Sequence, residues 1–117
     1  MKNVLWFSRH APTTDQVSEI SMAGQKIAAM DATSALAATP INHDDDLVLV
    51  LRGLLAIAAT VGAVSVYGVF ATPIMGEIAN TDKGIPCYAA WNVSRTPDGA
   101  SRPTFSHRVF VKIGELK

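Results

Sequence analysis

A single cysteine, Cys87, excludes an internal disulfide, and no Cys/His group has the spacing of a zinc site. A reducing cytoplasm is the expected compartment, with no metal and no cofactor. Neither sign of charge is in excess: ten Lys plus Arg meet ten Asp plus Glu, so no overall positive field holds the chain on phosphate backbones, and non-specific nucleic-acid binding is disfavoured. The sequence also lacks a G-x-x-x-x-G-K-[ST] loop and a G-x-G-x-x-G turn, which removes the usual signals for triphosphate and dinucleotide binding. Cys87 has no neighbour in sequence that would lower its thiol pKa, and Asp44, Asp45 and Asp46 are too close together to oppose two carboxylates across a substrate. Thiol and glycosidase chemistry therefore find no support. The apolar stretch at the N-terminus meets Arg9 and His10 too soon for the apolar region of a signal peptide, so these first residues are expected to be structural.

What the chain does have is apolar substance: 49% of its 117 residues, enough for the core of one domain. Gly53 to Gly76 carries no charge and is long enough to span a bilayer. Gly62, Ser65, Tyr67, Gly68 and Pro73 break it into pieces of different period, which fits a buried helix followed by a buried strand better than a membrane span. Charge is uneven along the chain. An acidic run stands at Asp44 to Asp46, whereas Arg95, Arg102, Arg108, Lys112 and Lys117 make the C-terminal end basic enough to meet an anionic ligand or partner.

Lys2 to Ser8 reads as a strand that ends in the polar turn Ser8-Arg9-His10-Ala11-Pro12. Thr13 and Gln16 form a capping-box pattern, predicting a helix over about Thr14 to Ala23 that Gly24 stops. Lys26 to Met30 reads as a second strand, and Asp31 to Pro40 as a loop with at most one helical turn. Asn42 and Asp45 repeat the capping pattern before a helix over about His43 to Val61, with Leu47, Leu51, Leu54, Ala58 and Val61 on its apolar face; a strand over Leu47 to Leu51 remains an open alternative. Ala63 to Val69 has the charge-free, β-branched character of a central parallel strand, neighbour to the first. Thr72-Pro73, as N-cap and first helical residue, opens a helix to about Ala79. Pro86 to Ser94 and Pro103 to Ile113 form an antiparallel hairpin across Thr96-Pro97-Asp98-Gly99. The order implies an α/β fold: an open, mostly parallel sheet with helices on both faces and a C-terminal antiparallel hairpin.

In such sheets ligands gather beyond the carboxyl ends of the strands, where strand order reverses. Ser8, Arg9, His10 and Thr13 are expected there, together with Phe70-Ala71-Thr72-Pro73 at a helix start; amides, a hydroxyl, a guanidinium and an imidazole suit a phosphate. Each has a plainer role as cap, turn or solvated charge. Tyr67, Asn92 and Arg95 sit near strand ends that reach the same cleft. His107, alternating with Phe105 and Val109, reads as structural, His43 as part of a helix cap, and Tyr88 and Trp91 as core or interface.

The segment Leu5-Trp6-Phe7-Ser8-Arg9-His10-Ala11-Pro12-Thr13-Thr14-Asp15-Gln16 resembles the opening of the small single-domain CARF-like proteins associated with type III CRISPR systems. The likeness extends loosely to Thr72-Pro73 and to Ile85-Pro86 before the hairpin, about half the chain, while the charge-free middle departs from that pattern. The resemblance implies a Rossmann-like homodimer that binds cyclic oligoadenylate across its two-fold axis, either holding the ring or cutting it as a metal-independent ring nuclease. It matches Ser8, Arg9, His10 and Thr13 to a first ligand loop and Thr72 to a second, with Arg9 and His10 as the catalytic candidates. Arg9-His10-Ala11-Pro12-Thr13 is also similar to the phosphorylated-histidine signature of histidine phosphatases, but no Ser-x-x-x-Arg-Ala and no late Gly-x-His follow. A third class is a non-enzymatic phage or mobile-element protein that binds a protein partner through its hairpin.

Overall fold

The computed structural model describes residues 1–95 and 104–117, with side chains described except at 92–95, 104–106 and 108. The elements run β1 (Lys2–Phe7), α1 (Thr14–Met22), β2 (Gln25–Ile27), α2 (Met30–Ala37), α3 (Asp44–Val61), β3 (Val66–Gly68), α4 (Thr72–Ala79), β4 (Ile85–Arg95) and β5 (Thr104–Leu116). They build a five-stranded sheet in the order β2-β1-β3-β4-β5, parallel up to β4 and closed at one side by antiparallel β5. This is the expected Rossmann-like α/β architecture. β1 and β3 are neighbours, pairing Leu5 with Val66 and Phe7 with Gly68.

Alternation along β1 decides which helix covers which face. Leu5 and Phe7 point to the side where α3 and α4 supply Val50, Leu54, Ala58, Ile74 and Ile78. Val4 and Trp6 point to the other, where they meet Ile20 of α1 together with Tyr67 and Phe110. Both faces are apolar because both are covered, which is why β1 shows no polar alternation. Phe110 stands edge-on to Trp6 and Tyr67, and Tyr67 stacks on Tyr88 at 4.9 Å.

Local sequence rules account for several element ends. Thr13 Oγ1 accepts the Gln16 amide while Gln16 Oε1 accepts the Thr13 amide, a closed capping box. α3 ends at Gly62 with φ 65°, a left-handed cap that glycine takes without strain.

Four expectations need correction. The region expected as strand to Met30 and then loop contains helix α2: Ala and Leu favour a helix, the Thr33 hydroxyl is satisfied by the carbonyls of Ala29 and Met30, and Leu36 and Ala37 pack on the α3 side of the core. The cap of α3 lies one residue later than Asn42/Asp45. His43 is the N-cap, and Asp46 Oδ2 accepts the amides of His43 at 3.1 Å and Asn42 at 3.0 Å. Likewise Ala71, not Thr72, is the N-cap of α4, which puts Pro73 at the second helical position, where a missing N–H is harmless. Finally, β3 is shorter than Ala63 to Val69, and β5 runs past Ile113 to Leu116. The strand continues through Gly114 because it passes tightly against α4; a Cβ at Gly114 would strike the Ile78 carbonyl.

The charge-free run from Gly53 to Gly76 resolves into the second half of α3, then β3, then the start of α4, and no described helix is long and apolar enough to cross a membrane. The helical reading of Leu47 to Leu51 holds, with Val50 joining Leu54 and Ala58 as its most buried residues. The turn Thr96-Pro97-Asp98-Gly99 lies outside the described residues.

Cys87 is fully buried on β4, and that burial, with the nearby Glu115 charge, pushes its thiol up to about 12. Tyr67 is raised as well, chiefly by burial. A raised folded-state pKa leaves stability untouched below the ordinary thiol value near 9.0 and removes it as pH climbs toward 12, since the unfolded thiol ionises first. Denaturant titrations from pH 8 upward should therefore show stability falling through that window, with a flatter fall in Cys87→Ala. A thiol reagent at pH 8 should label Cys87 only when the chain unfolds; rapid labelling of the native protein would contradict the burial.

Candidate functional site

β1 has β2 on one side and β3 on the other, so the chain leaves the carboxyl ends of β1 and β3 in opposite directions and a crevice opens between them. A cleft of about 540 Å³ lies there. One wall is the turn after β1, with Phe7, Ser8, Arg9 and His10; a second is the link from β3 into α4, with Val69, Phe70, Ala71, Pro73 and Ile74. The third is the α2–α3 connection from Leu36 to Ile41.

The Ser8–His10 turn is held from two sides. Ser8 is buried and its Oγ accepts the His10 amide at 3.2 Å, while the Trp6 indole Nε1 donates to the His10 carbonyl at 2.7 Å. Pinning the backbone this way leaves the side chains of Arg9 and His10 exposed at the cleft. The Val69 amide donates to the Phe7 carbonyl at 2.9 Å and ties the two loops together. Beyond it α4 begins with no side-chain cap, so the Thr72 and Ile74 amides of its first turn have no partner within the helix, and the helix dipole favours an anion at that end. Among the described residues that line it none is Asp or Glu, and His10 is the one histidine. The polar side chains at the cleft are thus those of Arg9, His10, Ser8 and Thr39, beside the uncapped start of α4 and an apolar wall.

The structure brings together Ser8, Arg9 and His10 with Ala71 and Pro73, as the spacing suggested. It does not bring Thr13 into the cleft: that hydroxyl is engaged in the α1 cap. Thr72 sits at the first position of α4 between two lining residues without lining the cleft itself. Tyr67 is buried on the α1 face, its hydroxyl donating to Gln25 Oε1 at 2.7 Å, and so is remote from the cleft. Asn92 and Arg95 lie on the part of β4 that continues past its last pairing with β3 at Ala89, and their side chains fall outside the described residues.

The histidines expected to be structural divide. His43 is the exposed N-cap of α3. His107 is nearly enclosed, with Nε2 3.0 Å from Glu19 Oε1 and its ring against Phe110. Tyr88 is in the aromatic cluster on the α1 face, whereas Trp91 is 56% exposed.

Sequence reasoning missed the third wall. Leu36 to Pro40 fall in the stretch that reads as loop with at most one helical turn, which points to no site residue there. The signal that could have found it is the alanine-rich segment ending before Pro40, which suits a helix.

The fold and the cleft together define a Rossmann-like α/β domain with an anion-favouring crevice at its topological switch point. Comparisons with protein-family models, with curated proteins and with solved structures each find no match.

Proposed function

We propose that this domain binds a small phosphate-bearing nucleotide in the switch-point cleft, cyclic oligoadenylate by preference, as a cytoplasmic homodimer that holds the ring across its two-fold axis. The observation that carries the reading is the convergence of Arg9, His10 and Ser8 with the uncapped start of α4 in a cleft that no carboxylate among the described residues lines. Such a set attracts phosphate oxygens from several directions and repels none of them. The resemblance of residues 5–16 to the CARF-like opening supplies the choice of cyclic oligoadenylate.

If the ring is cut, the chemistry available to these residues is transesterification. The ribose 2′-hydroxyl attacks the adjacent phosphorus and gives its proton to solvent water, the bond to the 5′-oxygen breaks, and that oxygen takes up a proton, leaving a 2′,3′-cyclic phosphate and a 5′-hydroxyl. Arg9 and the α4 amides stabilise charge on the phosphoryl oxygens, and His10 supplies the proton.

Calorimetry with a panel of cyclic oligonucleotides tests the proposal. Binding by at least one ring is expected, weakened about tenfold or more in Arg9→Ala, as loss of a charge-assisted hydrogen bond predicts. No heat with any member overturns it. The weight then moves to a second reading, a protein partner bound along the hairpin, for which the exposed Trp91, Val109 and Val111 are the specific observation.

A further inference from the structure

We infer that the α2–α3 wall of the cleft holds the flat base of the nucleotide and that Gly53 sets the depth of this wall by seating Leu36. The inference rests on the nucleotide reading above.

Gly53 lies in the interior of α3, where glycine is less favourable than alanine, in a helix that uses alanine at Ala56, Ala58 and Ala59. Its conformation is ordinary helix, so backbone freedom does not explain it. Packing does: a Cβ at position 53 would stand 2.9 Å from Leu36 Cδ1 and 3.0 Å from Leu36 Cδ2. The missing side chain is a socket for the tip of Leu36. Leu36 in turn lines the cleft.

The chemistry of that wall differs from that of its neighbours. Leu36, Ala37, Ala38, Pro40 and Ile41 offer no charged group and no side-chain hydrogen-bond donor, the hydroxyl of Thr39 between them donates to the Ala35 carbonyl at 3.2 Å, and Phe70, which also lines the cleft, is fixed by stacking on Phe7 at 5.5 Å. A phosphate gains nothing there. A ligand that uses both the Arg9–His10 turn and this wall must join an anionic group to an apolar one, and a nucleobase presents apolar faces of the required kind. A methyl group at position 53 would displace the flexible Leu36 tip away from α3, into the open space beside it, which is the cleft.

The test is calorimetry with adenosine monophosphate and inorganic phosphate as probes, on the wild type, Gly53→Ala, Leu36→Phe and the double variant Gly53→Ala/Leu36→Ala. Gly53→Ala should weaken adenosine monophosphate about tenfold or more and change phosphate less than about twofold, with a thermal midpoint no lower than wild type. Leu36→Phe narrows the same wall without altering α3 and should give the same selectivity. The double variant, which reopens the space, should recover most of the lost affinity. Unchanged adenosine monophosphate binding in both single variants, or an equal loss for phosphate, overturns the inference. A wild type that binds phosphate but not adenosine monophosphate overturns the base assignment and leaves the anion cleft standing; a wild type that binds neither overturns the nucleotide reading and the inference with it.

Discussion

Gly68→Ala should destabilise the protein by about 3 kcal/mol or more, enough to lower its thermal midpoint by about 10 °C. Gly68 pairs with Phe7 across the centre of the sheet, and a Cβ there would overlap the Phe7 carbonyl. β3 cannot retreat to make room, because Val69 donates to that same carbonyl and Val66 and Tyr67 are buried on opposite faces. Gly76→Ala is the matched control. It sits in α4 with nothing within 4 Å of an added Cβ, so the gain in helix propensity should leave stability equal or slightly higher. Thermal melts of the two variants beside wild type settle the point, and a Gly68→Ala protein that melts with wild type would mean that the two strands approach less closely than described.

The second large effect is kinetic. In reactions that cut the ring, His10→Ala should slow cleavage by at least about 10²-fold, the usual contribution of a positioned acid–base group, while weakening binding much less. The pinned backbone underlies the expectation. Trp6 and Ser8 fix the main chain of His10 through its carbonyl and its amide, so removal of the imidazole should leave the turn in place. Single-turnover assays with labelled cyclic oligoadenylate separate the two effects. Cleavage at the wild-type rate in His10→Ala would remove the histidine from the chemistry; a wild type that binds and never cuts would make it a binding residue alone.

The parts of this fold legible in the sequence are those where one strong local signal stood alone. The Thr13/Gln16 box fixed the start of α1, and the charge-free interiors of β1 and β3 identified these strands as neighbours in the sheet. Ambiguity entered where several equivalent residues competed. Any of three adjacent aspartates can reach back to an N-cap, and in the fold it is Asp46 that accepts the His43 amide. The segment from Asp31 to Ala37 had no cap and no charged face to announce α2, whose helical state depends on packing Leu36 and Ala37 against a core that sequence does not display. The candidate site was half visible for the same reason. Its polar turn follows directly from a strand end, whereas its apolar wall exists only because α2 does.

The carboxylate of Glu19 on α1 does more than meet His107. Its second oxygen accepts the amide of Phe110 at 3.1 Å, a main-chain donor on the outermost strand. At the opposite margin β2 offers just three residues. Growth of the sheet by strand addition, the route by which exposed β-structure recruits further chains into fibres, is thus hindered at Phe110 on one side and finds only a three-residue template on the other.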